Sequence, residues 1–206
     1  MRIDSDAVMW SAPERDRAGR PLLILLHGFG SNEGDMFAFS RSLPLEPVIA
    51  SVRAPLRAGQ GYTWFPADDS TSTERFDSIA DVTNALIEWI ESTASTGIGL
   101  LGLSQGGAMS LEMLRTQPDR FDYVVQLSGF VLPSTNAGDA RLAERLPPVF
   151  WGRGTRDEAI PASLIDHTAD WLPRHSTLTE RIYEGLGHAV SGSELSELSS
   201  FIRQQL

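Results

Sequence analysis

The 206-residue chain has no cysteine and no lysine. Without cysteine it builds no disulfide framework, offers no thiol nucleophile and holds no thiolate-bound metal. Without lysine it forms no Schiff base and lacks the lysine of a phosphate-binding P-loop. All 17 basic residues are therefore arginine, and against 27 Asp and Glu they leave a net charge of −10. Such a balance disfavours nucleic acid and anionic membranes as partners. Long hydrophobic runs are also missing; the apolar stretches fall far short of the roughly 20 residues of a membrane span, so no stable membrane association is expected. The N-terminus, Met1-Arg2-Ile3-Asp4-Ser5-Asp6, carries acids where a secretory leader has a basic and then an apolar stretch. These absences together predict a cytoplasmic protein. The length suits a single domain over residues 1–206, large enough to bury a core without covalent staples.

What is present alternates between two patterns. Short continuous apolar runs, Leu22–Leu26, Pro47–Val52, Ile98–Leu103, Tyr123–Leu127 and Pro148–Trp151, have the length of strands buried on both faces. A last strand, partly alternating, is expected from Leu178 to Tyr183. Between them lie helical patterns. Asn32 caps one expected to run to about Leu43, and Phe76, Ile79, Val82, Leu86, Trp89 and Ile90 recur at helical spacing in another. A third follows Ser104 to about Gln117, closed by Pro118, and two more are marked by Leu164 to Leu172 and by Leu195 to Ile202. Between Tyr123–Leu127 and Pro148 only a short loop with about one helical turn is expected. The polar segment from Arg53 to Thr73, holding Gly59-Gln60-Gly61-Tyr62-Thr63-Trp64-Phe65, reads as a long functional loop. Alternating strands and helices predict an α/β fold: a mostly parallel central sheet with helices on both faces. Ligands in such sheets bind beyond the carboxyl ends of the strands.

The residues at those ends carry chemistry. Gly102-Leu103-Ser104-Gln105-Gly106 follows one strand and opens a helix, which makes Ser104 a candidate nucleophile. A pattern of this kind arises by chance in roughly one chain in ten of this length, so its neighbours must carry the weight. A serine needs a base, and the base needs a carboxylate to fix its tautomer. Of four histidines, His27 precedes the serine and shapes a turn, while His167 and His175 fall in or beside a helix. His188 sits on a glycine-flanked loop after the last strand. Among the acids, Asp119 and Asp122 trail the helix after Ser104, and Asp166 and Asp170 lie four apart on a helix, as on a solvated face. Asp157 lies just past a strand end; its plain alternative is an ion pair with Arg153 or Arg156. The order Ser104, Asp157, His188 is that of α/β-hydrolases. Backbone N–H groups of Phe29 and Gln105 are placed to hold a tetrahedral oxyanion.

Together these segments resemble the phospholipase/carboxylesterase family of α/β-hydrolases, from about Pro21 to Ile202. Leu26-His27-Gly28-Phe29-Gly30 is similar to its oxyanion segment, Gly59 to Phe65 to its glycine-rich stretch, and Gly102 to Gly107 to its nucleophile motif. Gly154-Thr155-Arg156-Asp157-Glu158-Ala159-Ile160-Pro161 resembles its acid loop, and Gly187-His188-Ala189-Val190 with Glu194-Leu195 its histidine segment. Leu103 and Phe29 stand where phenylalanine and leucine are commoner. The resemblance implies a triad of Ser104, Asp157 and His188, oxyanion donors Phe29 and Gln105, and no metal or organic cofactor. With about twenty residues for any cap, an open site for short- to medium-chain esters is expected, with Phe29, Tyr62, Trp64, Phe65 and Phe130 as candidates for its apolar walls. An acyl thioesterase or lysophospholipase would use the same triad, as would a cofactor-free perhydrolase. A non-catalytic ligand-binding protein of the same fold is the alternative from a different class.

Overall fold

The five leucine-rich residues Leu22–Leu26 form β2, every one of them buried. In this computed structural model residues 1–66, 73–93 and 95–206 are described, the side chains of 73–76 excepted. Around β2 a seven-stranded sheet has the order β1 (Met9–Trp10), β3 (Val48–Val52), β2, β6 (Ile98–Leu103), β7 (Tyr123–Leu127), β8 (Pro148–Gly154) and β9 (Thr177–Tyr183). Every pairing is parallel except β1 with β3. A short antiparallel hairpin, β4 (Leu56–Ala58) and β5 (Gly61–Thr63), stands apart from it.

The helices are α1 (Glu33–Phe37), α2 (Thr73–Glu91), α3 (Gln105–Thr116), α4 (Asp139–Arg145), α5 (Ala162–His175) and α6 (Gly192–Arg203). Successive strand residues point to opposite faces, and here both faces are covered, which is why the strands read as unbroken apolar runs. Leu22, Ile24, Leu100, Val124, Val149 and Trp151 pack on one side with residues of α2 to α5. Leu23, Leu25, Leu101, Val125 and Phe150 pack on the other with Met36 of α1 and Leu198, Phe201 and Ile202 of α6.

Several elements differ from the expectation. The helix capped by Asn32 ends at Phe37 and tightens into a 3-10 turn over Ala38–Ser42. Only Met36 and Leu43 of its apolar set are fully buried, so little packing holds a longer helix there. The segment after Arg53 contains the β4–β5 hairpin, turning at Gly59 with φ 60; three-residue strands offer too little alternation to be seen. Its residues 67–72, and the Phe76 side chain of α2, lie outside the described residues. The α4 helix spans seven residues rather than one turn. The two-residue β1, invisible as a pattern, pairs Met9 with Ser51 and Trp10 with Ala50.

Candidate active site

β2 and β6 lie side by side with Leu26 beside Gly102, so the segments leaving them emerge together. The chain order reverses here, β3 on one side of β2 and β6 on the other, and such a switch point opens the crevice used for binding in open α/β sheets. Ser104 occupies the turn from β6 into α3 with φ 54 and ψ −116, a conformation disfavoured for a side-chain-bearing residue. Glycine makes the turn possible. A Cβ on Gly102 would collide with the Gly106 carbonyl, and one on Gly106 with the carbonyl of Leu26. The oxyanion segment lies against the serine: a Cβ added at Gly28 would stand 3.6 Å from Ser104 Cβ.

Two backbone donors flank this place. Among the described residues neither the Phe29 nor the Gln105 N–H has a partner. That of Gln105 is free because it opens α3. That of Phe29 is held by His27, which is fully buried. The Ala54 N–H donates to His27 Nε2 (3.1 Å), so the ring proton is on Nδ1 and donates to the Gly28 carbonyl (2.7 Å). Burial keeps the imidazole neutral by lowering its pKa, against the Gly28 hydrogen bond and the charges of Glu33 and Asp35 that raise it. Fixing the Gly28 oxygen fixes the plane of the Gly28–Phe29 peptide, and the Phe29 N–H points the opposite way.

The glycine-rich stretch clamps the same two donors. Gln105 Oε1 accepts from Thr63 Oγ1 (2.8 Å) and the Trp64 N–H (2.9 Å), and its Nε2 donates to the Phe65 carbonyl (2.7 Å). Trp64 Nε1 donates to the His27 carbonyl (2.7 Å). Trp64 and Phe65 are buried in the core behind the oxyanion segment, and Phe130 is buried too. The half-buried Tyr62 ring is met by the guanidinium groups of Arg53 and Arg57, 4.8 and 4.5 Å from its centroid. Phe29 is the exposed aromatic here, with 53% of its surface in solvent.

Asp157 and His188 lie on adjoining loops stitched together beyond β8 and β9. The Thr155 N–H donates to the Tyr183 carbonyl (3.0 Å), that of Arg156 to Leu186 (2.9 Å), and that of Gly185 to Thr155 Oγ1 (2.8 Å). His188 Nδ1 lies 2.7 Å from Asp157 Oδ2. A carboxylate only accepts, so the neutral imidazole carries its proton on Nδ1 and leaves Nε2 as a proton acceptor. Asp157 Oδ1 accepts from the Ala159 and Ile160 N–H groups, at 3.0 and 3.3 Å. Burial pushes the Asp157 pKa up, but the His188 hydrogen bond and charge, the Ala159 N–H and the Ser128 hydroxyl outweigh it and hold it below the ordinary carboxylate value.

The other candidates are occupied elsewhere. Arg153 pairs with Glu180, not Asp157. Asp119 pairs with Arg141, Asp122 accepts the Ile98 N–H, and Asp166 and Asp170 are exposed on α5. His175 stacks on Trp171 at 3.9 Å. Among the described residues no group of three or more His, Asp and Glu could hold a metal ion. The Gln105 side chain escaped the sequence reading. Glu194, named with the histidine segment, closes a capping box with Ser191 in the first turn of α6 just after His188, a role the Ser191-x-x-Glu194 pattern made legible.

A sequence profile of the family described as Phospholipase/Carboxylesterase matches residues 11–206. The carboxylesterase SOBER1 of Arabidopsis thaliana is 26% identical, over 91% of each chain. Acyl-protein thioesterase 1 of Kluyveromyces lactis is also 26% identical, over 90% of this chain and 92% of its own. In three dimensions the chain is similar to esterase PE8, with a TM-score of 0.78, 23% identity and full coverage of both. The Bacillus cereus carboxylesterase superposes with a TM-score of 0.78 at 18% identity, covering 97% of this chain and 94% of the other. At such identities these two likenesses show a shared α/β-hydrolase fold.

Proposed function

The chain belongs to the phospholipase/carboxylesterase family, and from that premise we propose that it opens esters by acyl transfer through Ser104, His188 and Asp157. The family and the named relatives make it a hydrolase of carboxylic ester bonds. In the proposed path Ser104 Oγ attacks the ester carbonyl while His188 Nε2 takes its proton. Asp157 keeps the imidazole in the required tautomer and stabilises the imidazolium. The Phe29 and Gln105 N–H groups receive the charge on the tetrahedral oxygen, and they are worth most because they are fixed before that charge forms. His188 then protonates the departing alcohol. Water, deprotonated by His188, attacks the acyl-enzyme and releases the acid and Ser104. No step calls for a metal or an organic cofactor.

The observation that carries this reading is the 2.7 Å contact between His188 and Asp157, made by loops of two strands whose sheet neighbours lead back to the Ser104 turn. A small-molecule ester with a short- to medium-length acyl group suits it. The connection between β7 and β8 is tied down by Arg115, which bonds the Leu132 and Ser134 carbonyls and Asp139, rather than rising as a cap. One folded unit acting in the cytoplasm, in keeping with a chain free of cysteine, completes the proposal. Thioester hydrolysis is the second reading, favoured by the relatives named acyl-protein thioesterase.

The test is a panel of p-nitrophenyl esters from acetate to palmitate beside matched acyl thioesters. Activity is expected to fall toward the longest chains, and the ratio of the two series decides between the readings. Ser104→Ala should lower kcat at least about a thousandfold and abolish fluorophosphonate labelling. Asp157→Asn should cost about a thousandfold or more, while Asp166→Asn leaves the rate unchanged. Full activity in Ser104→Ala, or loss confined to Asp166→Asn, would overturn the residue assignments.

A further inference from the structure

Trp64 is fully buried, and both of its N–H groups donate to residues of the oxyanion site. The backbone N–H donates to Gln105 Oε1 (2.9 Å), and the indole Nε1 donates to the His27 carbonyl (2.7 Å). The ring also lies against the His27 imidazole, with centroids 5.2 Å apart. Gln105 bears one oxyanion donor on its own backbone, and His27 stands two residues before the other, Phe29. One residue therefore spans the two segments that supply the donors. Gln105 and His27 are buried as well, so no water competes for these hydrogen bonds and each holds its partner firmly.

Resting on the acyl-transfer reading, we propose that Trp64 is a positioning residue that sets the spacing of the two oxyanion donors. Three successive peptides run through the Phe29 side, and each is tied. The His27 carbonyl is held by the Trp64 indole (2.7 Å), the Gly28 carbonyl by the His27 ring (2.7 Å), and the Gly30 N–H by the Tyr62 carbonyl (2.8 Å). A peptide is planar, so tying one end aims the other, and these ties aim the Phe29 N–H that lies among them. Two of the three come from Tyr62 in β5 and from Trp64 just after it. That stretch is anchored in turn to the start of α3, where the Gln105 Nε2 donates to the Phe65 carbonyl (2.7 Å). It also touches the oxyanion segment directly, since a Cβ on Gly61 would collide with the Gly30 carbonyl. Donors stabilise a developing charge best when their separation is fixed before the charge forms. Trp64 supplies a hydrogen-bonded link between them beyond that of the sheet, and it acts through His27 and Gln105 rather than on the substrate.

Trp64→Phe keeps an aromatic ring and the backbone N–H and removes the indole donor. Gln105→Met keeps the backbone donor and the side-chain length and removes the amide. Each should lower kcat on p-nitrophenyl esters about tenfold with KM within about twofold, because the oxyanion exists only in the tetrahedral state. An alkyl trifluoromethyl ketone reads the same loss: Ser104 Oγ adds to its carbonyl carbon, the serine proton passes to His188, and the carbonyl oxygen becomes an anion facing the two N–H groups. Its inhibition constant should rise about tenfold in each variant. The two bonds are links in series, so the double variant should lose little more than either single one. Rates are referred to the enzyme that a fluorophosphonate labels at completion, which leaves out any unfolded fraction. A wild-type kcat and inhibition constant in either variant overturns the proposal. So do losses that multiply in the double variant, or a fall in kcat without weaker ketone binding, both signs of separate packing defects. Should Trp64→Phe not fold, Gln105→Met decides by its kcat and its ketone binding. A wild type that hydrolyses neither esters nor thioesters, or a Ser104→Ala variant that stays active, would instead sink the acyl-transfer reading.

Discussion

Ser104 is held at φ 54 and ψ −116, and positions of this kind cost about 1–3 kcal/mol wherever a Cβ is present. The surroundings impose it: β6 in register with β2 and β7, and glycines at 102 and 106 packed against carbonyls. The same reasoning separates two inactive variants. Ser104→Gly removes both the hydroxyl and the Cβ, while Ser104→Ala keeps the Cβ. Thermal melts should therefore rank Ser104→Gly above Ser104→Ala by about 1 kcal/mol, with neither turning over ester. An equal or lower stability for the glycine variant would show that the turn is not strained. His27 makes a related point at this scale. Its place before Gly28 suggested a residue that shapes a turn, and its two hydrogen bonds show how: one fixes the tautomer, the other fixes the peptide that bears the Phe29 N–H.

Two helices carry the clearest energetic consequences. At the start of α6, Glu194 is 1% exposed and lies against Gly152; burial pushes its pKa up to about 7, opposed by the Ser191 N–H, with Glu197 adding to the rise. An acid raised this far is more protonated in the native than in the unfolded chain between its ordinary value and about 7. Stability from this group is thus greatest in acid and falls as pH rises through that window, by roughly 3 kcal/mol in all. Glu194→Gln should flatten that part of the stability profile and be the more stable form above neutrality, as read by urea melts from pH 5 to 8. A variant profile parallel to the wild type would refute the shift. On α3, Arg115 is 1% exposed and bonds Asp139, Glu112 and the Leu132 and Ser134 carbonyls, with Trp171 5.4 Å away. Truncation leaves those acceptors without their donor, so Arg115→Ala should destabilise by about 3–5 kcal/mol. A melting temperature within a degree of the wild type would show the network to be dispensable.

For the whole molecule, the sheet edges decide behaviour. β9 ends the sheet with charged residues, Glu180 paired to Arg153 and Arg181 to Glu197, and charge on an edge discourages pairing with another chain. The other edge is closed by only two residues of β1, backed by Ile3 and Val8 in the core and by Trp10 packed on Trp89 under Arg17. Removing residues 1–10 would withdraw those side chains and bare β3, whose five residues are all buried. The truncated chain should lose at least about 2 kcal/mol of stability and scatter light at concentrations where the full chain stays clear. Unchanged melting and no scattering would show that β1 does not guard the edge.

Local rules made much of this protein legible from its residues alone. Apolar runs of strand length, the Asn32 cap and the glycines around Ser104 depend on side-chain periodicity and backbone sterics within a few residues, and strand ends mark where chemistry gathers in a parallel sheet. Short or long-range features escaped those rules. β1, β4 and β5 are too brief to show a period, and Trp64 and Phe65 read equally well as pocket wall or core until packing put them behind the oxyanion segment. Which carboxylate faces which imidazole was decided by the register of β8 with β9 and the stitching of their loops, across 31 residues of chain. Residues 127 and 128 gave no local sign, because the ties of the Leu127 carbonyl to the Ser104 N–H and of the Ser128 N–H to the Gly152 carbonyl exist only once β6, β7 and β8 lie side by side. A sequence fixes what each segment can form by itself; the hydrogen bonds between distant segments exist only once the sheet has chosen its order.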